Sequence, residues 1–385
     1  MKVVVLSTMY LRSKSDTRGL MVSEFNRSLI DLGFDVSVVA PMDEKTPLFE
    51  VIDSVKVYRF NYFFPKKFQK LAYGNGIPAN LRYSWLAKFQ VLPFCIFFFL
   101  KSLKVCRDAE IIHCQWTSVG VIGYFVGKIL RKPVFLTVRR ASLGFFMSRI
   151  EKFILSRVNY VFFNSSYTLN ICSESVKIPS FSVLNNSIDF NKFYPFKVER
   201  KYNQKIVGTM GLFVEKKGFE FLITAMTKVD AVLLIAGHGP FKRKYEEIIK
   251  NLNLEKKVFL VGEISTDKTP KFFNSLDVFV LPSIIDSKGE TETLGVVLIE
   301  ALACGKPIIG SKVGGIVDII DDSCGIFVKP GDSEDISEKL NLILKNSTLQ
   351  KKLSRNSRAY ALKKFSDSKL KKTISEVYFK YGKGI

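Results

Sequence analysis

No two cysteines stand in a Cys-x-x-Cys pairing. Cys95, Cys106, Cys114, Cys172, Cys304 and Cys324 lie apart and mostly in apolar runs. That spacing excludes a zinc ribbon and argues against a disulfide framework, and predicts reduced core thiols in a cytosolic protein. The opening MKVVVLSTMY reads as a first strand and lacks a basic n-region followed by a small-residue cleavage site, so a secreted form is not expected. No apolar run approaches the roughly twenty residues needed to span a bilayer, Val91 to Leu100 reaching ten. Repeats and low-complexity segments are missing too. Histidine is scarce, with only His113 and His238. His113, in IIHCQW, reads as a satisfied strand-end residue, and neither histidine is assigned a catalytic role. Acids are few where bases are many: residues 51 to 150 hold sixteen Lys or Arg against three Asp or Glu.

What is present is a core. Hydrophobic residues make up 47% of the chain, which excludes a disordered protein, and 385 residues suggest two domains. Short β-branched runs alternate with amphipathic helical stretches, the pattern of doubly wound parallel sheets. Strands are expected at Val3 to Thr8, Asp35 to Ala40, Ile111 to Cys114, Val134 to Val138 and Tyr160 to Asn164. A second set is expected at Lys205 to Gly208, Val232 to Ala236, Val258 to Val261, Val278 to Leu281, Pro307 to Gly310 and Gly325 to Val328. The polar, proline-bearing stretch Asn191 to Gln204 separates the sets. This predicts a first domain over 1–190, a linker over 191–204 and a second domain over 205–365.

The richest chemistry lies in PSIIDSKGETETLGVVLIEALACGKPIIGSKVGG (282 to 315). A strand runs into a polar, glycine-bearing loop that opens an apolar helix expected from about Leu294 to Cys304. A helix start carries unpaired N–H groups and the positive end of the dipole, so the Thr293, Leu294 and Gly295 amides can hold a diphosphate. Glu292 precedes that anion site, where a carboxylate can accept from sugar hydroxyls. Glu300 follows Gly295 by five residues, roughly 7.5 Å at the helical rise, about the reach from a β-phosphate to a ribose. The layout suits a nucleotide-sugar.

This segment resembles the E-x7-E signature of glycosyltransferase family 4, retaining nucleotide-sugar enzymes of the GT-B fold. The likeness extends through GTMGLFVEKKGFEFLITAM (208 to 226), LLIAGHGP (233 to 240), DVFVLPS (277 to 283) and CGIFVKPGD (324 to 332). Earlier, SVLNNSIDFNKFYP (182 to 195) is similar to the family's strand and turn before the interdomain linker. The resemblance implies two Rossmann-like domains facing across a cleft, the first binding acceptor and the second donor. It also implies a final helix, residues 366–385, packed back on the first domain. Among individual residues, it implies that Lys217 neutralises the donor diphosphate, that Gly211 and Gly19 approach the donor in glycine loops, and that Glu292 orients the sugar rather than acting as a covalent nucleophile.

Two departures stand out. The arginine usual in the family's G-R-L-x-x-x-K-G element falls at Leu212, removing one of two expected cations. LTVRRASLG (136 to 144) carries Arg139 where the family usually has an active-site histidine. A buried guanidinium is costly to leave unpaired, so Arg139 or Arg140 is expected to supply charge to the donor phosphate or to an anionic acceptor. With no Asp-x-Asp element in metal-ligand context, no metal and no cofactor beyond the UDP- or GDP-sugar itself are expected. Lysine, helix amides and arginine are left to stabilise the leaving diphosphate. The expected activity is retaining glycosyl transfer to a surface glycan or glycolipid. A GT-B epimerase would need acids and histidines that cannot be placed, and a nonenzymatic relic is favoured only by the changes at Leu212 and Arg139.

The basic residues of 51 to 150 alternate with aromatic and aliphatic ones, as in FNYFFPKKFQK (60 to 70) and LAKFQVLPFCIFFFLKSLKVCR (86 to 107). A cationic, aromatic-rich flank suits adsorption to an anionic leaflet. Nucleic acid is not the expected partner, since no helix-turn-helix, zinc or RNP-like pattern accompanies the charge. The expected location is cytoplasmic, peripheral on the inner face of the membrane. The alternative for Val91 to Leu100 is an ordinary buried helix with solvated lysines.

Overall fold

The computed structural model describes residues 1–385 other than 14, 15, 17, 18, 75, 140–147, 187 and 383–385. The chain forms two compact units. The first comprises Met1–Asn164, Thr168–Leu184 and the C-terminal stretch from Ser368; the second comprises Ser165–Tyr167 and Asn185–Asp367.

The first unit's strands are β1 Lys2–Leu6, β2 Asp35–Pro41, β3 Phe49–Ile52, β4 Val55–Phe60, β5 Ile111–Gln115, β6 Val134–Val138, β7 Tyr160–Phe163 and β8 Phe181–Val183. They form one sheet in the order β3-β4-β2-β1-β5-β6-β7-β8, parallel except for the β3 and β4 hairpin. The five strands read from sequence are there. The hairpin and β8 were not among them: β3 and β8 are short, partly exposed edge elements, and β4 alternates apolar with polar residues in place of a continuous apolar run. Side-chain alternation divides the sheet's two faces. Val3 and Val5 of β1 join a core with helices α1 (Leu20–Asp31) and, at the C-terminus, Asp367–Gly382. Val4 and Leu6 point to the other core, covered by α2 (Ile77–Tyr83), α3 (Trp85–Phe89), α4 (Val91–Val105), α5 (Thr117–Leu130), α6 (Arg149–Arg157) and α7 (Ser166–Ser173).

In the second unit the strands are β9 Ile206–Met210, β10 Val232–Ala236, β11 Val258–Gly262, β12 Val278–Leu281, β13 Ile308–Ser311 and β14 Gly325–Val328. Each corresponds to a run read from sequence, and all pair in parallel in the order β11-β10-β9-β12-β13-β14. Helices α8 (Phe219–Ala225), α9 (Lys242–Asn251) and α12 (Ser333–Lys345) cover one face; α10 (Thr269–Ser275), α11 (Val296–Ala303) and α13 (Ser347–Phe365) cover the other. Residues 191–204, expected as a linker, are fastened to this unit. Phe193 enters its core, the Phe196 N–H donates to Asn274 Oδ1 at 3.0 Å, and Arg200 pairs with Asp277 at 2.5 Å. The unit starts earlier than expected, at Asn185, because the apolar Ile188 and Phe193 have this core to bury in.

The last helix, α14 (Asp367–Gly382), belongs to the first unit. Its Tyr378 reaches His113 of β5 at Nδ1, while His113 Nε2 lies 2.7 Å from Thr137 Oγ1. Burial, aided by the Arg139 charge, depresses the imidazole to about 3. His113 is therefore a neutral structural bridge, and with both ring nitrogens occupied it has no catalytic part. Among the described residues, no helix is long and apolar enough to cross a membrane.

Candidate functional site

In the second unit the chemistry-bearing loops leave the C-terminal ends of β9, β10, β12 and β13, where open parallel sheets bind ligands. Because β9 and β12 are neighbours, residues 211–218 and 282–295 run side by side, although some 75 positions separate Lys217 from Glu292. Three contacts bind them. The Ser287 N–H and hydroxyl donate to the Glu215 carboxylate at 3.0 and 2.7 Å, Lys216 Nζ lies 3.4 Å from the Glu290 carboxylate, and Lys217 pairs directly with Glu292. A main-chain bond from Ile284 N–H to the Lys216 carbonyl, 2.9 Å, adds a fourth tie.

Glycines set the spacing. A Cβ on Gly211 would lie 3.0 Å from the Lys217 Cε, and Gly218, at φ 61°, presses against the Pro282 carbonyl. Gly237 and Gly239 seat the GHGP loop behind residues 211–213, whose Phe213 N–H donates to the His238 carbonyl at 2.7 Å. On the far side the VGG turn supports Glu292: the Gly315 N–H donates to the Glu292 carbonyl at 2.8 Å, and a Cβ on Gly315 would overlap the Thr293 carbonyl.

Burial alone would raise the Glu292 carboxyl. The Lys217 charge and hydrogen bond, then Lys216 and the Gly295 N–H, outweigh it and hold the group below its ordinary 4.5. The site is thus a desolvated carboxylate paired with a desolvated ammonium, an arrangement that persists only while both partners stay in place. Helix α11 begins at Val296, two residues later than expected, because Gly295 caps it in the left-handed conformation at φ 87°. Thr293 and Leu294 lie in the preceding turn. The helix's own open amides are those of Val296 and Val297, the Leu298 N–H already bonding the Gly295 carbonyl. Glu300 stands half-buried on α11.

Sequence reasoning missed a set of hydroxyls. Thr209 of β9, Ser283 just past β12, Thr291 before Glu292 and Ser311 at the end of β13 each bury a side-chain oxygen without a protein partner. Buried hydroxyls seldom go unpaired, so these four are places where an ordered water can bind. Strand-end Ser and Thr are the only sequence signal for them, and a weak one.

In the first unit Gly19 caps α1 at φ 86°, and a Cβ there would come within 2.9 Å of the Tyr10 Cα; that approach by itself requires glycine. Arg139 follows β6, half-buried, its Nε donating to Gln115 Oε1 at 3.3 Å. Burial lowers its guanidinium to about 10 against the opposing pull of Glu24. Arg140 lies outside the described residues. Around this edge Tyr10 faces Asn26 and Ser23, and Gln115 Nε2 is buried without a partner. His238 is exposed, 3.4 Å from the Glu263 carboxylate.

Residues 190–360 match the family of glycosyl transferases group 1. Over that stretch, most of the second unit, the chain is similar to the glycosyltransferases of that group. The enzyme is 25% identical over 340 residues to an uncharacterised glycosyltransferase of Methanocaldococcus jannaschii, covering 85% of this chain and 92% of the relative. Its fold is similar to that of sucrose-phosphate synthase from Thermosynechococcus elongatus (TM-score 0.80, 20% identity, 98% of both chains). It is also similar to Anabaena HepE solved with UDP (TM-score 0.77, 18% identity, 99% of this chain and 100% of that one). These are GT-B proteins, and two parallel-sheet α/β units place the enzyme in that fold.

At the position of the missing arginine, the enzyme exposes 53% of Leu212 on the same loop as Lys217. Leu212→Arg adds a cation there without displacing a core side chain. The expected result is a rise in donor affinity of several-fold, approaching tenfold, with the melting temperature unchanged. Isothermal titration with UDP- and GDP-sugars checks it, and an unaltered or weaker Kd would place Leu212 away from the phosphates.

Proposed function

We propose that the enzyme transfers a sugar, with retention of configuration, from a UDP- or GDP-sugar to a glycan or glycolipid acceptor at the cytoplasmic face of a membrane. The observation that carries this reading is the half-buried Lys217 and Glu292 pair beside the start of α11. The donor diphosphate takes Lys217 and the amides of Val296 and Val297. Glu292 holds sugar hydroxyls, and Glu300 the ribose. The UDP in the HepE structure supports a nucleotide donor by analogy.

In the transfer step, the bond from the sugar C1 to the β-phosphate oxygen breaks, its electron pair leaving with the nucleoside diphosphate. An acceptor hydroxyl forms the new bond on the same face of C1 and passes its proton to the departing phosphate oxygen. Lys217 and the helix amides stabilise the charge that grows there, so no metal is required. Arg139 adds a cation from the first unit, for the phosphate or an anionic acceptor, and Arg139→Ala is expected to lower turnover.

Glu300→Ala is expected to raise KM with little change in kcat, because a ribose contact is equal in ground and transition states. Glu292→Ala chiefly lowers kcat. A screen of nucleotide-sugars by thermal shift, followed by the anomeric configuration of the product by NMR, tests the whole reading. An inverted product, or no donor that raises the melting temperature, would refute it.

A further inference from the structure

The first unit holds a second constellation, at the starts of its strands and not at their ends. At the ends of α5 and α6 and the starts of β6 and β7, a depression of about 440 Å3 is lined by Lys128, Arg131, Lys132, Arg157 and Lys380, with Tyr124 at one wall. No carboxylate lines it, and none of the five cations has an ion-pair partner among the described residues. Helix C-termini attract cations, which accounts for Lys128, Arg131 and Arg157 one by one. It does not account for Lys380, brought in by α14, or for five like charges converging on one hollow. Arg131, moreover, occupies the left-handed cap at φ 56°, a position that favours glycine. Uncompensated charge of this density calls for a bound anion.

The surroundings say which anion. The neighbouring helices α4, α5 and α6 share one outer surface, and it is apolar. On α4 the inward residues Phe94, Phe98 and Ser102 are buried, while Leu92, Ile96 and Leu100, each four residues apart, face solvent. Phe125 and Ile129 on α5 and Phe153 on α6 continue that surface to the rim of the hollow, Tyr124 packing edge-on against Phe153. From Ser54 to Arg107 the chain carries no acid at all. A helix apolar on both faces belongs in a core or at a lipid interface.

We propose that the hollow takes the phosphate of an anionic phospholipid while the outer faces of α4, α5 and α6 rest among the upper acyl chains. The inference deepens the reading that the acceptor is membrane-borne, and it supplies the docking site. On this proposal the inner face of Val91 to Leu100 lies in the core, as Phe94 and Phe98 do, and its outer face meets lipid.

The test is co-sedimentation with phosphatidylglycerol-containing or pure phosphatidylcholine vesicles. Arg131→Gln/Lys132→Gln/Arg157→Gln should lose binding to the anionic vesicles by on the order of a hundredfold, near fivefold for each charge. Leu92→Ser/Ile96→Ser should weaken it as well. Short-chain phosphatidylglycerol should shield Lys128 and Lys380 from acetylation. Unchanged binding by the triple variant, equal binding to phosphatidylcholine, or equal shielding by inorganic phosphate would overturn the proposal. Unaltered melting temperatures of the variants establish that any loss is not unfolding. Donor hydrolysis, measured alongside, reads the transferase assignment separately.

Discussion

Replacing Lys217 by alanine is expected to cut kcat/KM for the nucleotide-sugar about tenfold to a hundredfold at neutral pH, the worth of one charge-assisted hydrogen bond to a leaving phosphate. The damage does not stop at the phosphate. Lys217 is also what keeps Glu292 ionised against its burial, so the variant releases the carboxyl to rise. In the wild type the Glu292 value is depressed, and a depressed carboxylate contributes stability that is present above its unfolded 4.5 and lost as pH falls through the lower folded value. Without Lys217 the sign of the balance turns toward burial, and the acid limb of the kcat/KM profile moves to higher pH. A profile of unchanged shape in Lys217→Ala would mean that Glu292 is not coupled to catalysis.

Gly315→Ala is expected to be nearly as damaging, without touching any group that meets the donor. Gly315 has an ordinary φ, so alanine brings no backbone strain of its own; the added methyl collides with the Thr293 carbonyl, and the turn bearing Glu292 and the helix cap must shift. A displacement near 1 Å at a reacting group costs up to about a hundredfold in rate. Gly262→Ala is the control: at φ 77° it pays the conformational cost, yet its methyl meets nothing within 4 Å. Steady-state kinetics should therefore show Gly315→Ala crippled and Gly262→Ala near wild type in kcat, whatever each does to stability.

The second unit was legible from its residues because each of its strands is a short apolar run bounded by turn formers, the central ones buried on both faces. Parallel strands of that kind announce themselves. Glu292 was legible through loop and helix-start chemistry and Lys217 through the family resemblance, but their pairing was not. It depends on β9 lying beside β12, a tertiary adjacency that no local pattern encodes. The same holds for Thr209, Ser283, Thr291 and Ser311, whose burial is set by register. The late start of α11 reflects one residue, Gly295, taking the left-handed cap where an apolar run had suggested continuous helix. In the first unit β3 escaped as a short edge strand, and β4 because Lys56, Tyr58 and Arg59 interrupt its apolar run. The segment 191–204 looked like a linker by composition, yet its aromatic residues find the second core. The basic hollow joins α5, α6 and a helix more than two hundred residues later, beyond the reach of any sequence window.

The account rests on Lys217 and Glu292 acting as one donor-binding unit, and a double-mutant cycle on kcat/KM measures that directly. Lys217→Ala, Glu292→Gln and the double variant are compared with the wild type using the best donor from the thermal-shift screen. Coupled residues are expected to be strongly non-additive, with the double variant no worse than the poorer single one. Losses that simply add would contradict the account, because they would make the pair two independent surface charges.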